Sequence, residues 1–110
     1  MSASVCIGYF GLRFEVQAHE IDQLEERSDP RQVAARQAGL TSYWANFGGE
    51  AERYVLFVGT QLAMLGPEND IAAALPIERL LSIASDTADR LRSARMVGEV
   101  GLHLEWLFDA

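Results

Sequence analysis

Lysine is absent from this chain of 110 residues, and cysteine occurs once. All nine basic residues are arginines, set against sixteen acids for a net charge of −7. That balance argues against nucleic acid as a partner, because phosphate backbones are bound by clustered Lys and Arg. It argues equally against anionic membrane surfaces. It permits a basic protein partner. The lone Cys6 cannot close an intramolecular disulfide. It sits in an apolar run and reads as a buried small hydrophobe, since a catalytic thiolate needs a basic neighbour. No apolar run approaches the roughly 20 residues that span a bilayer. The first arginine, Arg13, follows the apolar opening stretch, the wrong order for a signal peptide. These features predict a cytoplasmic chain.

Chemical motifs are lacking too. The two histidines, His19 and His103, belong to no H-x-x-x-H or paired C-x-x-C pattern, and the stretch from Pro67 to Glu78 has no EF-hand spacing. The acidic pairs Glu50/Glu52 and Glu68/Asp70 lie on expected turns, where carboxylates are usually solvated. No catalytic residue, metal ligand or cofactor is assigned.

What the chain has is a single domain's length and 49% hydrophobic residues. Folding at this size buries roughly 65% of the extended chain's surface. Residues 4–16 are rich in Val, Ile, Tyr and Phe and read as a strand, with Gly8 and Gly11 marking a bulge or bend. In 18–40, Ile21 and Leu24 give one helical stripe. Pro30 predicts a break, then a second helix with Asp29 as N-cap, Pro30 at N1, Gln32 as capping-box partner and Gly39 at the left-handed C-terminal position.

Residues 41–47 and 50–59 are β-prone runs around Gly48-Gly49. We read the glycines as a two-residue hairpin turn, which places Trp44 opposite Arg53 and Tyr43 opposite Tyr54. A longer loop over 46–52 is the alternative, and it would change every facing. A ligand-binding glycine notch would open onto a helix, and here a strand follows. Residues 54–66 are apolar almost throughout and read as one long strand, or as two with a turn at Gly59-Thr60-Gln61 that would add a hairpin near residue 60, and 71–75 read as strand or as the approach to a helix. From Pro76 the spacing of Ile77, Leu80, Leu81, Ala84, Ala88 and Leu91 predicts an amphipathic helix. At the end, Val100, Leu102, Leu104, Trp106 and Phe108 alternate with Gly101, His103, Glu105 and Leu107 as in a strand. The order β-α-β-β-α-β is that of the ferredoxin-like, split βαβ arrangement, with helices on one face of the sheet.

Two functional readings follow. The first is a non-catalytic protein-binding or regulatory module, comparable in size and charge to antitoxin and immunity proteins by analogy only. Its acidic run would dock a basic partner through Asp22, Glu25 and Glu26, with Tyr43 and Trp44 as aromatic anchors. The second is a small-molecule-binding protein or enzyme with a pocket between sheet and helices, lined by Tyr9, Phe10, Phe57 and Trp106. Apolar residues on both faces of the central strands, notably Val55 and Phe57 with Leu107, predict a homodimer across the uncovered sheet face. A fold-back of residues 60–75 across that face is the other option.

Overall fold

Two twelve-residue strands, β1 (Val5–Val16) and β3 (Tyr54–Leu65), run antiparallel through the middle of the sheet. The shorter β2 (Thr41–Asn46) and β4 (Gly101–Leu107) flank them, so the order is β2-β3-β1-β4 with every pairing antiparallel. The computed structural model describes residues 4–108. Three helices complete an α+β fold: α1 (Ile21–Glu25, entered through a 3-10 turn at Ala18–Glu20), α2 (Pro30–Gln37) and α3 (Ile77–Ser93). None of them is long and apolar enough to cross a membrane.

The central pairing is shaped by glycine. Gly11 faces Gly59, with φ of +150° and +152°. Side chains avoid that region of the backbone map. A Cβ at either position would fall 2.1 Å from a carbonyl oxygen of the opposite strand. The rings of Tyr9 and Phe57 stack at 5.5 Å beside this glycine pair. Tyr9 then reaches past Gly59 to Thr41 on the far strand, 2.8 Å away. The Thr41 hydroxyl donates to the Gly59 carbonyl at 3.1 Å, so the Tyr9 hydroxyl is the donor in the other contact. Near Gly8 the expected bulge is present on the partner strand: Gly8 pairs with Ala63 and Tyr9 with Gln61, leaving Leu62 over.

Side chains divide between the two faces as alternation requires. Leu12, Val16, Leu56 and Val58 lie under the helices and pack with Leu24, Ala35, Leu40 and Leu91. Ile7, Tyr9, Val55 and Phe57 take the other face with Phe47. No helix lies on that second face. Phe47 folds onto it from the β2–β3 loop, edge-on to Phe57 at 5.7 Å. Glu105 adds a polar lid, accepting from Arg13 at 2.6 Å and from Arg53 at 3.0 Å.

Local signals explain the helices. Asp29 caps α2, accepting from the Arg31 N–H at 2.9 Å, and Gln32 closes the capping box. The α2 helix ends as expected at Gly39, φ +76°. The Leu40 N–H returns to the Ala35 carbonyl and the Gly39 N–H to that of Arg36, a Schellman motif. The same motif ends α1 at Arg27 (φ +61°) and α3 at Arg95 (φ +59°), where arginine takes the position glycine usually fills.

Three alternatives are decided by the structure. Strand β3 runs unbroken through Gly59, so no extra hairpin forms near residue 60: the glycine gives a close strand approach instead of a turn. The β2–β3 connection is a seven-residue loop containing a 3-10 turn at Gly49–Ala51, and the register is Tyr43 opposite Phe57 and Trp44 opposite Leu56. Residues 71–75 form neither strand nor helix. Between β3 and α3 the chain forms one isolated bridge, Leu65 to Asp70.

Substituting Gly59 with Ala is expected to cost about 1–3 kcal/mol from the forced φ and the carbonyl clash. Urea denaturation reads this as a lower midpoint at unchanged slope. A midpoint equal to that of the parent chain would remove the glycine constraint from this account.

Candidate functional site

The α1–α2 corner is built on Asp29, which is almost fully buried. Its carboxylate takes two hydrogen bonds from the Arg31 guanidinium, each 2.9 Å. Arg31 also bonds Glu20 at 3.0 Å and lies over the Phe14 ring, 5.2 Å from its centre. These contacts moor both short helices to β1. Gln32 ties the corner from within, donating to the Leu24 carbonyl at 3.2 Å while accepting from the Asp29 N–H at 3.3 Å. The hydrogen bonds from Arg31 hold the Asp29 carboxyl below the usual carboxylate range. They outweigh the burial that pushes it the other way.

Opposite this corner lies β2, an edge of the sheet. The far end of β2 is fixed by Asn46. Its carboxamide oxygen accepts from the N–H groups of Gly48 and Arg53, both at 3.0 Å, and its NH2 donates to the Gly49 carbonyl at 2.8 Å. A side chain thus closes the loop where the sequence suggests a bare Gly-Gly turn. Gly48 is held tightly there: a Cβ would fall 2.7 Å from the Arg53 nitrogen.

Between the corner and the edge strand runs an open groove of about 660 Å³. Glu25, Arg27, Gln32 and Arg36 line it from the helices, and Thr41, Ser42, Tyr43 and Trp44 from β2. Tyr43 and Trp44 point to opposite faces of the strand and both line the groove, which therefore wraps the free edge of β2. Trp44 packs against Tyr54 at 6.4 Å, and both Trp44 and Tyr43 stay partly exposed. Arg36 is held by the Arg27 carbonyl, to which it donates at 2.9 Å.

Of the residues singled out in the sequence, Glu25, Tyr43 and Trp44 meet in this groove. Asp22 and Glu26 are exposed on the same short helix without lining it. Arg27 and Arg36 were not singled out. The signal for Arg27 was the helix break before Pro30, which demands a left-handed residue, but the sequence does not say which residue takes that role.

The other expected sites are dispersed. Val55 and Phe57 share one face with Leu107, as alternation suggested. Both are fully buried within a single chain, because Phe47 and the Arg13–Glu105–Arg53 network cover them. They are not free to form a dimer surface. Residues 60–65 continue β3 and do not fold back across this face, with Met64 packing against its cluster from within the strand. Tyr9 and Phe57 lie on one face of the sheet while Phe10 and Trp106 lie on the other, so the four line no common pocket. Cys6 pairs with Trp106 and His103 with Tyr9, which puts the thiol and the imidazole on opposite faces. His103 instead contacts the Gly11 carbonyl through Nε2 at 3.2 Å. His19 sits in the 3-10 turn after β1. Among the described residues, no three His, Cys, Asp or Glu side chains gather as a metal site would require.

Comparison with protein families, with curated proteins and with solved structures finds no match to this chain.

Two carboxylates give the chain an acid-sensitive stability. Burial pushes Glu105 up, but hydrogen bonds from Arg13 and Arg53 more than reverse this and leave it below its ordinary value, as with Asp29. A lowered folded-state pKa adds stability above the unfolded pKa, near 4 for both groups, and loses it as pH falls through the folded value. Stability is expected to hold from neutral pH down to the unfolded carboxylate range and to be lost progressively as pH falls below it. Urea midpoints at several pH values check this. Asp29→Asn and Glu105→Gln should each flatten the acid limb, and Asp29→Ala should cost about 1–2 kcal/mol at pH 7 through the lost cap.

Proposed function

We infer that this chain is a non-catalytic protein-binding or regulatory module that docks a basic segment of a partner in the groove beside β2. The observation that carries the reading is the convergence of Glu25, Tyr43 and Trp44 on one groove along a free strand edge. An edge strand offers unpaired backbone groups to an extended peptide, which adds as a further strand. The partly exposed aromatics supply anchors, and rigid aromatic side chains dominate binding energy in such surfaces. Asp22, Glu25 and Glu26 form an acidic rim on α1, and the net charge of −7 extends its field to steer a basic partner.

Arg27 and Arg36 also stand on the groove wall, so a basic segment is met by the acidic rim and the aromatics and not by these two side chains. As a non-glycine residue at φ +61°, Arg27 stores strain on the order of 1 kcal/mol. It does so here on the wall of the groove, and Arg95 takes the same conformation at the end of α3. The element order, with strand order β2-β3-β1-β4 and antiparallel pairing throughout, supports placing the fold with ferredoxin-like, split βαβ domains. That scaffold carries many functions and fixes none. A cytoplasmic setting, and the comparison with bacterial antitoxin and immunity proteins, belong to this proposal and rest on charge and size alone.

The test uses an extended arginine-rich peptide and the fluorescence of Trp44, with Trp106 replaced by Phe so that Trp44 reports alone. The expected result is a saturable change at low salt that weakens steeply at high salt. Replacing Asp22, Glu25 and Glu26 together with Ser should weaken binding about tenfold, the sum of three exposed charge contacts. No saturable signal at low salt, or binding indifferent to the triple substitution, would sink the docking model. Separately, Arg27→Gly is expected to raise the urea midpoint, by up to about 1 kcal/mol of stability, as the strain is released. A lower midpoint would mean that Arg27 is held by its contacts and not strained.

A further inference from the structure

The opposite edge of the sheet carries apolar side chains where solvent should be. Along β4, Leu102, Leu104 and Trp106 project from the helix-side face, and Phe108 follows with its ring stacked on Trp106. Each of the four is more than half exposed. The reason is that α3 packs over β1 and β3 and stops short of β4. Thr87 and Leu91 point down into the fold, Thr87 reaching Thr60 at 2.7 Å. The Arg90 guanidinium bonds the Ala38 carbonyl and so marks the flank turned toward α2. At 100° per residue, Ile77 and Leu81 fall on the opposite flank, toward β4, and both are more than 60% exposed. The exposed stripe of the strand and the exposed flank of the helix thus border the same unfilled corner. A contiguous apolar surface of this kind marks an interface.

We propose that β4 is the seam of a twofold homodimer, in which the β4 strands of two copies pair antiparallel about Leu104 and join two four-stranded sheets into one. The occupant is a second copy because the strand is complementary to itself about Leu104. With the twofold axis at Leu104, Leu102 faces the partner's Trp106 and Phe108 faces the partner's Val100, all apolar. On the other face His103 meets the partner's Glu105, twice over. Moving the axis to Glu105 sets two carboxylates against each other, and like charges directly opposite oppose pairing, while moving it to His103 loses the His103–Glu105 pairs. Moving it half a step sets Leu104 against the partner's His103 or Glu105. Twofold pairing of identical patches is the commonest closed assembly.

The size suits as well. Six large side chains, two of them aromatic, plus a strand edge and the helix flank offer on the order of 600–800 Å² per copy, close to a standard interface. An exposed strand edge of this apolar character is otherwise a hazard that proteins blunt with charge or proline, and β4 has neither along the stripe. The β2 groove lies at the other end of the sheet, so the seam leaves it open.

Light scattering after size exclusion at low micromolar protein should give twice the 12.2 kDa of one chain. Leu104→Arg and Trp106→Glu should each return the mass to a single chain, with dissociation raised about 100-fold or more. Both side chains are exposed in the monomer, so circular dichroism should show the fold intact. The register has its own readout. In a Cys6→Ser background, Leu104→Cys places two thiols on the axis, where opposed Cα atoms are about 4.5–5.5 Å apart and within disulfide reach. Mild oxidation should cross-link it nearly completely, and Glu99→Cys, on the exposed stretch before β4, should not cross-link. A parent chain with the mass of one copy overturns the proposal. So does a dimer indifferent to Leu104→Arg and Trp106→Glu, or a Leu104→Cys variant that cross-links no better than Glu99→Cys.

Discussion

The close pairing of Gly11 with Gly59 is the constraint on which the rest of the sheet depends. It draws β1 and β3 together at their centre with no side chains between them. The approach leaves room on one face, and the Tyr9–Phe57 stack fills it. Tyr9 then reaches Thr41, which ties β1 to β2 across the width of β3. A face with no helix on it therefore builds a core of its own, closed by Phe47 and by one carboxylate shared between two arginines. Placing charge over that core is cheap because the ions stay partly wet and are hydrogen-bonded to each other.

Those parts of the fold set by neighbours in sequence could be read directly. Asp29, Pro30, Gln32 and Gly39 act within one or two turns of helix, and each takes the role its chemistry dictates. The alternation of β4 and the grouping of Val55, Phe57 and Leu107 on one face follow from period two. What alternation cannot say is which face has a lid. The cover over Phe57 comes from Phe47, Arg13, Arg53 and Glu105, brought together from two strands and a loop. The outward face of β4 is left open because α3 stops short of it, a matter of helix placement and not of local pattern. The register of the hairpin escaped reading for a similar reason. Gly48-Gly49 looks sufficient for a turn, but the Asn46 side chain satisfies three backbone groups and makes a longer loop the better solution. The aromatics and the acid of the groove were legible as candidates, while its arginines were hidden by their ordinary role as helix-ending and surface residues.

The two edges of the sheet are treated differently. Beside β2, helices and charged side chains shape a groove in which the strand's backbone is flanked and selective. At β4 the backbone edge is accompanied by bare hydrocarbon. A binding surface with mixed charge favours partners that come and go, whereas an apolar one favours partners that stay. The absence of lysine sharpens this: every cation is a planar guanidinium, and those at Arg13, Arg31 and Arg90 are spent on internal fixings to Glu105, Asp29 and Ala38.

The central β1–β3 pairing also sets the order in which the chain can assemble. The β2–β3 hairpin joins segments that are adjacent in sequence and can zip from the Asn46 loop within microseconds. Strand β1 must wait, because Gly11 meets Gly59 only after the whole of α1, α2 and β2 has been looped out. Strand β4 comes later still, from the far end of the chain, and has no bonded neighbour except β1. The slow step is therefore the closure of a long loop to form the middle of the sheet, a high-contact-order event of milliseconds or more. Until it occurs, the hairpin presents the hydrogen-bonding edge of β3, with Val55, Phe57 and Val58 uncovered, to any other chain in the same state. The glycines that let β1 and β3 meet so closely in the finished protein leave that edge with little to discourage a wrong strand from taking the place of β1.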